Sequence, residues 1–495
     1  MHRFILVLDS GTSSCRAVLF SRDGQIVGRA QKALKSSYPA PGWVEQEADD
    51  IWATTLSVAV EAMSRVGASA SDILGIGIAN QRETTIIWDK ASGQPLAPAI
   101  VWQCRRTAPL VDRLRGEGLE DDILARTGLV LDPYFSATKI MWLLDQSPAL
   151  RARAEKGQVL FGTVDAWLIY KLTGGRRHVT DVTNASRTQL FNIHTMQWDE
   201  SILSRLNIPA AMLPALVPSA AHVADTDPSF FGQPLPIMAV IGDQQSALIG
   251  HGGVNTGDAK CTFGTGCFLL MNTGTVPVLS RHGLLTTIAY GLDNTVRYAL
   301  EGSVFTAGQA ISWLKDELGF LRSEAESESI AETVADTNGV YLVPAFSGLG
   351  APYWNPRALG TMVGLTAGTT KAHIVRATVE SLAYQTVDVL HAMKADSGLA
   401  VASLHADGGA SRNNLLMQTL ADLHDDAVRR PDEIEATARG AALLAGVALG
   451  IFTLKSLPAE KTSQVFLPQL KDRERQSRLD GWRRAVDATL AFCKD

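Results

Sequence analysis

The stretch Phe4-Ile-Leu-Val-Leu-Asp9-Ser-Gly-Thr12-Ser-Ser-Cys-Arg16-Ala-Val-Leu-Phe20 decides the fold class. Two short runs rich in apolar residues, Phe4–Leu8 and Arg16–Phe20, flank a polar tip of Asp9, Gly11 and hydroxyl residues. Runs of this length bounded by turn residues predict two strands joined by a tight turn. Asp23-Gly24 is a strong hairpin signal, because a type I′ turn wants φ > 0 at both central positions, and it leads to a third strand over Gln25–Ala30. Asp49-Asp50 then caps a helix over about Ile51–Val66, and Ile73–Ala79 returns as a buried strand. The order β-β-β-α-β joins an antiparallel hairpin to a parallel crossover, so the chain is read as α/β.

The layout recurs in the second half. Lys260–Met271 reads as strand, Gly264-Thr265-Gly266 turn, strand. Leu284–Tyr290 and Thr295–Leu300 are predicted strands around a turn at Leu292-Asp293-Asn294. A helix over about Thr306–Leu318 and a buried strand at Val340–Pro344 follow. Farther on, His405–Ala410 is a strand end, and Asn413-Asn414 opens a helix to Leu423. Two copies, each with a polar Gly/Thr tip, predict two related lobes facing across a cleft, a favoured place for small-molecule sites. The boundary falls in the glycine-rich stretch Gly250–Gly257, dividing the chain into 1–249 and 250–495. Any α/β chain of this size also contains β-β-α coincidences, so the duplication is an expectation for the structure to test.

Composition narrows the class. The 495 residues are 46% hydrophobic and 19% charged, which excludes a disordered polymer or a coiled coil. With 45 Lys+Arg against 51 Asp+Glu there is no basic field to hold nucleic acid. No apolar run approaches the ~20 residues that span a bilayer, so no membrane insertion is expected. Phe4–Leu8 is too short for a signal-peptide core, and five cysteines without a CxxC pair suggest neither a disulfide framework nor a zinc site; they read as small core residues. A cytoplasmic enzyme is the expectation. Phosphate loops of the GxxxxGK[ST] type, GxGxxG turns, GxSxG and HExxH are absent, so a nucleotide would need another glycine-turn device.

Several polar clusters sit where such a device belongs. At the first tip, glycine turns backbone N–H groups inward and Thr12, Ser13 and Ser14 add donors, which together make an anion cradle. Asp9 at the strand end suits Mg²⁺, and Arg16 suits phosphate charge; the same residues also make an ordinary tight turn. Thr265 repeats this chemistry in the other lobe, and Asp407-Gly408-Gly409 with Asn413 offers a third strand-to-helix loop. Arg82 and Glu83 follow the Ile73–Ala79 strand, where open α/β sheets bind ligands, and could meet adjacent hydroxyls of a polyol or form a surface ion pair. Asp243 after the apolar run Ile237–Ile241 suits a general base on a hydroxyl, or a helix N-cap. Trp102, Tyr134 and Phe268 each adjoin a polar cluster and read as walls for a small polyol or as core.

The strings Leu8-Asp-Ser-Gly-Thr-Ser-Ser-Cys-Arg-Ala-Val18, Pro41-Gly-Trp-Val-Glu45, Asn80-Gln-Arg-Glu-Thr-Thr85, Val101-Trp-Gln-Cys-Arg-Arg-Thr107, Asp132-Pro-Tyr-Phe135, Thr183-Asn-Ala-Ser-Arg-Thr188, Gly242-Asp-Gln-Gln245, Phe263-Gly-Thr-Gly-Cys-Phe268 and Gly348-Leu-Gly-Ala-Pro-Tyr-Trp354 resemble the glycerol-phosphorylating branch of the FGGY carbohydrate kinases. The resemblance runs from about Phe4 to Trp482 and implies two actin-like, ribonuclease H-like lobes, ATP and Mg²⁺ as cofactors, glycerol as substrate, and a homodimer or homotetramer. It implies that Arg82, Glu83, Tyr134 and Asp243 bind glycerol hydroxyls, that Trp102 and Phe268 pack its carbon edge, and that Gln244 is a neighbouring contact. Asp243 would be the catalytic base. Thr12, Ser13, Ser14, Arg16, Thr265, Gly308, Gly409 and Asn413 would contact ATP, and Asp9 would position Mg²⁺. Members of the family regulated by fructose 1,6-bisphosphate carry a basic loop before the Gly-Asp-Gln-Gln stretch; residues 227–236 here hold no Lys or Arg, so such regulation is not expected. A nucleotide-side Gln of some members is matched by Ser312. Another FGGY kinase, or an actin-like assembly protein without a sugar pocket, are the rival readings.

Overall fold

In strand β1 (Phe4–Ser10) the side chains alternate between two cores. Leu6 and Leu8 join Ile51, Val58 and Ala62 of helix α1 (Ala48–Arg65). Ile5 and Val7 join Ala438, Ala441 and Ala442 from far along the chain. That period of two, apolar on both faces, makes β1 a central strand. The structure, a computed structural model, describes residues 4–292, 295–432, 435–459 and 462–493.

Strands β2 (Ser14–Ser21) and β3 (Ile26–Ala33) continue the sheet antiparallel on one side of β1. On the other side β4 (Ile73–Asn80) pairs parallel, with Ser10 opposite Asn80. Beyond it lie β6 (Pro236–Gly242), parallel, and β5 (Ala220–Asp225), antiparallel, giving the order β5-β6-β4-β1-β2-β3. Between β4 and β5 the chain makes a separate helical layer with its own core, including Ile100, Leu114, Ile140 and Phe161. Helix α2 (Asp243–Gly250) leaves the carboxyl end of β6.

The second sheet repeats this plan. β7 (Asp258–Phe263) pairs antiparallel with β8 (Cys267–Gly274), and β9 (Leu285–Leu292) and β10 (Thr295–Val304) extend that side. After helices α3 (Gly308–Asp316) and α4 (Lys371–Ser397), β11 (Ser403–Asp407) pairs parallel with β7. Helix α5 (Asn414–His424) leads to β12 (Val428–Pro431), parallel, and β13 (Thr462–Phe466) closes the sheet antiparallel. The order is β9-β10-β8-β7-β11-β12-β13, so β7, β8, β10, β11, β12 and β13 stand where β1, β2, β3, β4, β6 and β5 stand in the first sheet. No described helix is long and apolar enough to cross a membrane.

The lobes are joined by an exchange of helices. Helix α2 leaves the first sheet and packs on β7, β8 and β9. Its counterpart α6 (Ala436–Ala448) leaves the second sheet and packs on β1, β4 and β6. The two helices touch backbone to backbone. A Cβ on Gly440 would lie 1.8 Å from Ser246 O, one on Gly250 2.0 Å from Ala436 O, and one on Gly77 of β4 2.7 Å from Ala441 O.

Five expectations need correction. The strand expected at Val340–Pro344 is Tyr341–Val343 and pairs only with Thr361–Val363, outside both main sheets. The long helix α4, and not the one at 306–318, carries the chain back to β11, which is the true counterpart of β4. Asp49 and Asp50 lie inside the first turn of α1, with Glu47 at the cap position. In the first hairpin only Gly24 adopts positive φ (75°), and Gly24 N–H donates to Ser21 O, so the turn is not type I′. Residues 293 and 294 of the other expected turn lie outside the described residues. Four cysteines are buried and all five are free thiols, but Cys493 is only half-buried and belongs to no core. The last helix (Asp472–Phe492) buries Leu479, Trp482, Ala485 and Val486 as its spacing requires, and Trp482 stacks on Tyr384 at 5.2 Å.

The glycine contacts make a direct prediction. Gly440→Ala drives a methyl into a carbonyl of the facing helix and should destabilise by about 1–3 kcal/mol or more in urea unfolding. Gly116→Ala, at a helical site with nothing within 4 Å, should be neutral or stabilising. Equal effects at the two sites would contradict close helix contact.

Candidate active site

The carboxyl ends of β1, β4 and β6 lie side by side, because Ser10 and Gly242 both face Asn80 across parallel ladders. Everything that leaves these ends therefore converges: the Asp9–Ser14 tip, the segment Gln81–Thr84, and Asp243. A short helical turn, Val182–Ala185, locks them together from below. Thr183 Oγ1 accepts from Gly242 N at 2.9 Å, and Asn184 and Asn80 exchange amide hydrogen bonds at 2.8 and 3.2 Å. Asp181 caps the turn by accepting from the Thr183 and Asn184 N–H groups.

Arg187, just beyond this turn, reaches the segment Gln81–Thr84 and the second lobe. Its Nε donates to Glu83 Oε1 at 2.6 Å and its Nη2 to Glu301 Oε1 at 2.9 Å. Arg82 holds the same Glu301 with Nη1 at 2.5 Å and Nη2 at 3.1 Å, and its Nε lies 3.2 Å from Asp243 Oδ1. Arg82, Glu83, Arg187 and Glu301 are all buried. Burial alone raises the Glu301 carboxyl, but Arg187 and Arg82 pull it below the ordinary range. Burial wins at Glu83, which is raised against the same two cations. The surface ion-pair reading of Arg82 and Glu83 is thereby excluded: their partners are Glu301 and Arg187, deep between the lobes. Glu83 also has φ of 61°, a left-handed conformation rare for its type, and its carbonyl accepts from Ser136 Oγ at 3.0 Å.

Above this network several polar atoms make no hydrogen bond among the described residues: Glu83 Oε2, the Tyr134 hydroxyl, Asp243 Oδ2 and Gln244 Nε2. Asp243 Oδ1 is occupied by Arg82 Nε and by Gln244 N at 2.7 Å. Gly242 holds the N-cap position of α2, so Asp243 is its first helical residue and not its cap. Burial raises the Tyr134 phenol, and Glu83's charge adds to this, so its hydroxyl stays protonated and able to donate. The three aromatics converge: Trp102 lies edge-on to Tyr134 at 5.6 Å and to Phe268 at 6.0 Å. Phe268 comes from the second lobe, so the wall is built across the cleft.

The residues expected on the phosphate side form two further groups. Trp102 Nε1 donates to Thr12 Oγ1 at 2.8 Å, linking the aromatic wall to the first tip. Gln46 Nε2 donates to Thr12 O, and Gln81 binds Gln46 and Thr84, which braces that tip from behind. Ser13 is exposed, and Ser14 Oγ accepts from Gln31. Arg16 reaches Glu435 of the other half at 3.3 Å. In the second lobe, Gly308 N donates to Gly264 O and Ala307 N to Thr265 O, so Thr265 and Gly308 are neighbours. Gly408, at φ 87°, lets the Gly409 loop approach until a Cβ would lie 2.4 Å from Phe263 O. Asn413 lies at this loop but its side chain is engaged, accepting from Leu416 N and donating to Ser327 Oγ. Ser312 Oγ is bound to Glu324 Oε1 at 2.8 Å. Burial pushes Asp9 up to about 7; Arg16 opposes this, and Asp243 and Glu435 add to it.

Comparison with known proteins agrees with this geometry. Residues 4–250 match the N-terminal domain of the FGGY family of carbohydrate kinases, and residues 259–449 match its C-terminal domain. The chain belongs to the FGGY family of carbohydrate kinases. This FGGY kinase is 53% identical to a glycerol kinase of Agathobacter rectalis, with 100% of both chains covered. It is similar to the crystal structure of Plasmodium falciparum glycerol kinase with ADP, at 36% identity and a TM-score of 0.92, covering 98% of each chain. It shares its fold with gluconate kinase from Lactobacillus acidophilus, at 20% identity and a TM-score of 0.90 over 99% of this chain and 98% of that one. The two-lobe, actin-like, ribonuclease H-like architecture of FGGY kinases is thus the fold of this chain.

Two residues of the network, Arg187 and Glu301, have no role assignable from the sequence. Arg187 lies in the Thr183–Thr188 string, which carried the family resemblance without a role of its own. Glu301 is a lone acid at the end of the apolar run Tyr298-Ala-Leu300, and that was its signal. Removing it leaves two buried guanidiniums with only Glu83 and Asp243 as counter-charges, one carboxylate each, so Glu301→Ala should lose about 3–5 kcal/mol of stability by urea unfolding. A loss below about 1 kcal/mol, the worth of an exposed pair, would contradict a buried network.

Proposed function

We propose that the chain is a glycerol kinase, transferring the γ-phosphoryl group of ATP to a terminal hydroxyl of glycerol to give sn-glycerol 3-phosphate and ADP. The observation that carries this reading is the set of polar atoms left without partners among the described residues, ringed by three aromatic edges. Glu83 Oε2 and Asp243 Oδ2 accept, and the Tyr134 hydroxyl and Gln244 Nε2 donate. That is a complement for a small molecule with three hydroxyls and short CH faces. Full-length identity of 53% to a glycerol kinase supports the same substrate.

The mechanism follows from what each group has left to give. Arg82 and Gln244 N fix Asp243 through Oδ1, so Oδ2 is the oxygen that takes the proton of the attacking hydroxyl. Tyr134, Glu83 and Arg82 hold the remaining hydroxyls, and Trp102 with Phe268 covers the carbons and keeps water from competing for the phosphoryl group. Thr12, Ser13 and Ser14 on one lobe and Thr265, Gly308 and Gly409 on the other embrace the nucleotide, which favours closure of the cleft on ligand. Asn413 contributes by shaping its loop. A polyphosphate draws Arg16 away from Glu435.

Among the described residues no cluster of three or more His, Cys, Asp or Glu could hold a metal by itself. Two carboxylates, Asp9 and Asp243, approach closely enough for the Asp243 charge to raise the Asp9 carboxyl. Few protein oxygens and a surplus of negative charge suit Mg²⁺, which keeps most of its waters. Asp9 would hold it, and it would neutralise charge on the transferred phosphoryl group. In this reading residues 1–249 form the glycerol side and 250–495 the adenosine side.

Asp243→Asn keeps shape and hydrogen bonding but cannot take a proton. Its kcat for glycerol-dependent ADP release should fall roughly 10²–10⁴-fold, with ATP binding retained. A variant keeping more than about a tenth of wild-type turnover at saturating glycerol would show that Asp243 is not the base.

A further inference from the structure

Lys260 lies within β7 and is fully buried, yet it forms no ion pair among the described residues. Its ammonium makes three hydrogen bonds instead, donating to Gln244 Oε1, to Thr262 Oγ1 at 3.0 Å and to Phe268 O at 3.2 Å. All three protons are used. Burying a cation against neutral acceptors alone is unfavourable, and burial does lower the Lys260 ammonium, with Asp407 and Asp243 pulling against it. The partners are the residue after the proposed base, a residue of the strand leading to the second tip, and the backbone of an aromatic wall residue.

The consequence lies in Gln244. A side-chain amide presents an acceptor on one side and two donors on the other, and it can turn over unless something fixes it. An ammonium has only donors, so it accepts one orientation, with Oε1 toward Lys260 and Nε2 away from it. Gln244 Nε2 has no partner among the described residues, and the residue is only half-buried at the start of α2, next to Asp243. Resting on the reading of the site as one for glycerol, we infer that Lys260 is a positioning residue that fixes the polarity of the Gln244 amide, so that the substrate meets an N–H donor beside a carboxylate acceptor. One hydroxyl gives its proton to Asp243 while a neighbouring oxygen accepts from Gln244. A carbon skeleton without adjacent oxygens cannot satisfy both.

Steady-state kinetics of the full chain with glycerol and ATP, on Gln244→Ala, Gln244→Glu, Lys260→Met and the Lys260→Met/Gln244→Ala double variant, test this. Gln244→Ala and Gln244→Glu should each raise KM for glycerol about tenfold, the scale of one hydrogen bond, while KM for ATP stays within about twofold. Lys260→Met should raise KM for glycerol in the same direction. The double variant should be no worse than Gln244→Ala, because Lys260 acts through that amide. Wild-type KM for glycerol in Gln244→Glu would overturn the inference, since it would mean that an acceptor serves as well as a donor. Multiplying effects in the double variant would overturn it too. Gln244→Glu keeps Lys260 paired, so wild-type KM in it overturns the inference even if Lys260→Met fails to fold. Absence of glycerol turnover in the wild type would refute the functional reading itself, a result distinct from either.

Discussion

Two helices that cross at their backbones hold this molecule together. Gly250 and Gly440 sit where α2 (Asp243–Gly250) and α6 (Ala436–Ala448) meet, and each lacks the one carbon that would push them apart. Each helix leaves one sheet and packs on the other, so the two lobes share cores without merging. The same crossing places Asp243 at the first residue of one helix and Glu435 just before the other, both at the mouth of the cleft. The candidate base and the lobe junction therefore occupy the same few residues.

The buried charges under the open polar atoms follow from that geometry. Glu301 comes from the second sheet, while Arg82, Glu83 and Arg187 come from the first lobe. Two guanidiniums share one carboxylate, with a second carboxylate at Glu83 and a third at Asp243. Such an assembly adds little net stability relative to an apolar core, but it is unforgiving of the loss of one member. What it does provide is a fixed floor on which Arg82 is held through all three nitrogens, while Glu83 has one oxygen fixed and the other open. Trp102 plays a similar double part on the wall, edge-on to Tyr134 and Phe268 and bonded to Thr12 of the first tip.

Much of this was legible in the sequence where local signals act alone. The hairpin around Asp9–Ser14 and the strand Ile73–Ala79 announce themselves by periodicity and turn residues. The clustering of Asp9, Arg82 and Asp243 follows from their positions after apolar runs, because parallel strand ends converge. The counterpart of β4 was misplaced because an insertion precedes α4 and Tyr341–Val343 is apolar enough to pass for a sheet strand. Pairing, not composition, separates it from Ser403–Asp407. Arg187, Glu301 and Lys260 could not be assigned from spacing at all. Each is a charged residue whose partners lie on other elements, and only the folded chain brings them together.

The central claim is that the open polar atoms between the lobes are a glycerol site coupled to ATP. ADP release measured with ATP and Mg²⁺, with and without glycerol, tests it most directly, with the phosphorylated product identified. A glycerol site predicts ADP release that depends on glycerol and equals the glycerol 3-phosphate formed. Equal ADP release without glycerol, or turnover of xylulose or gluconate in its place, would contradict it.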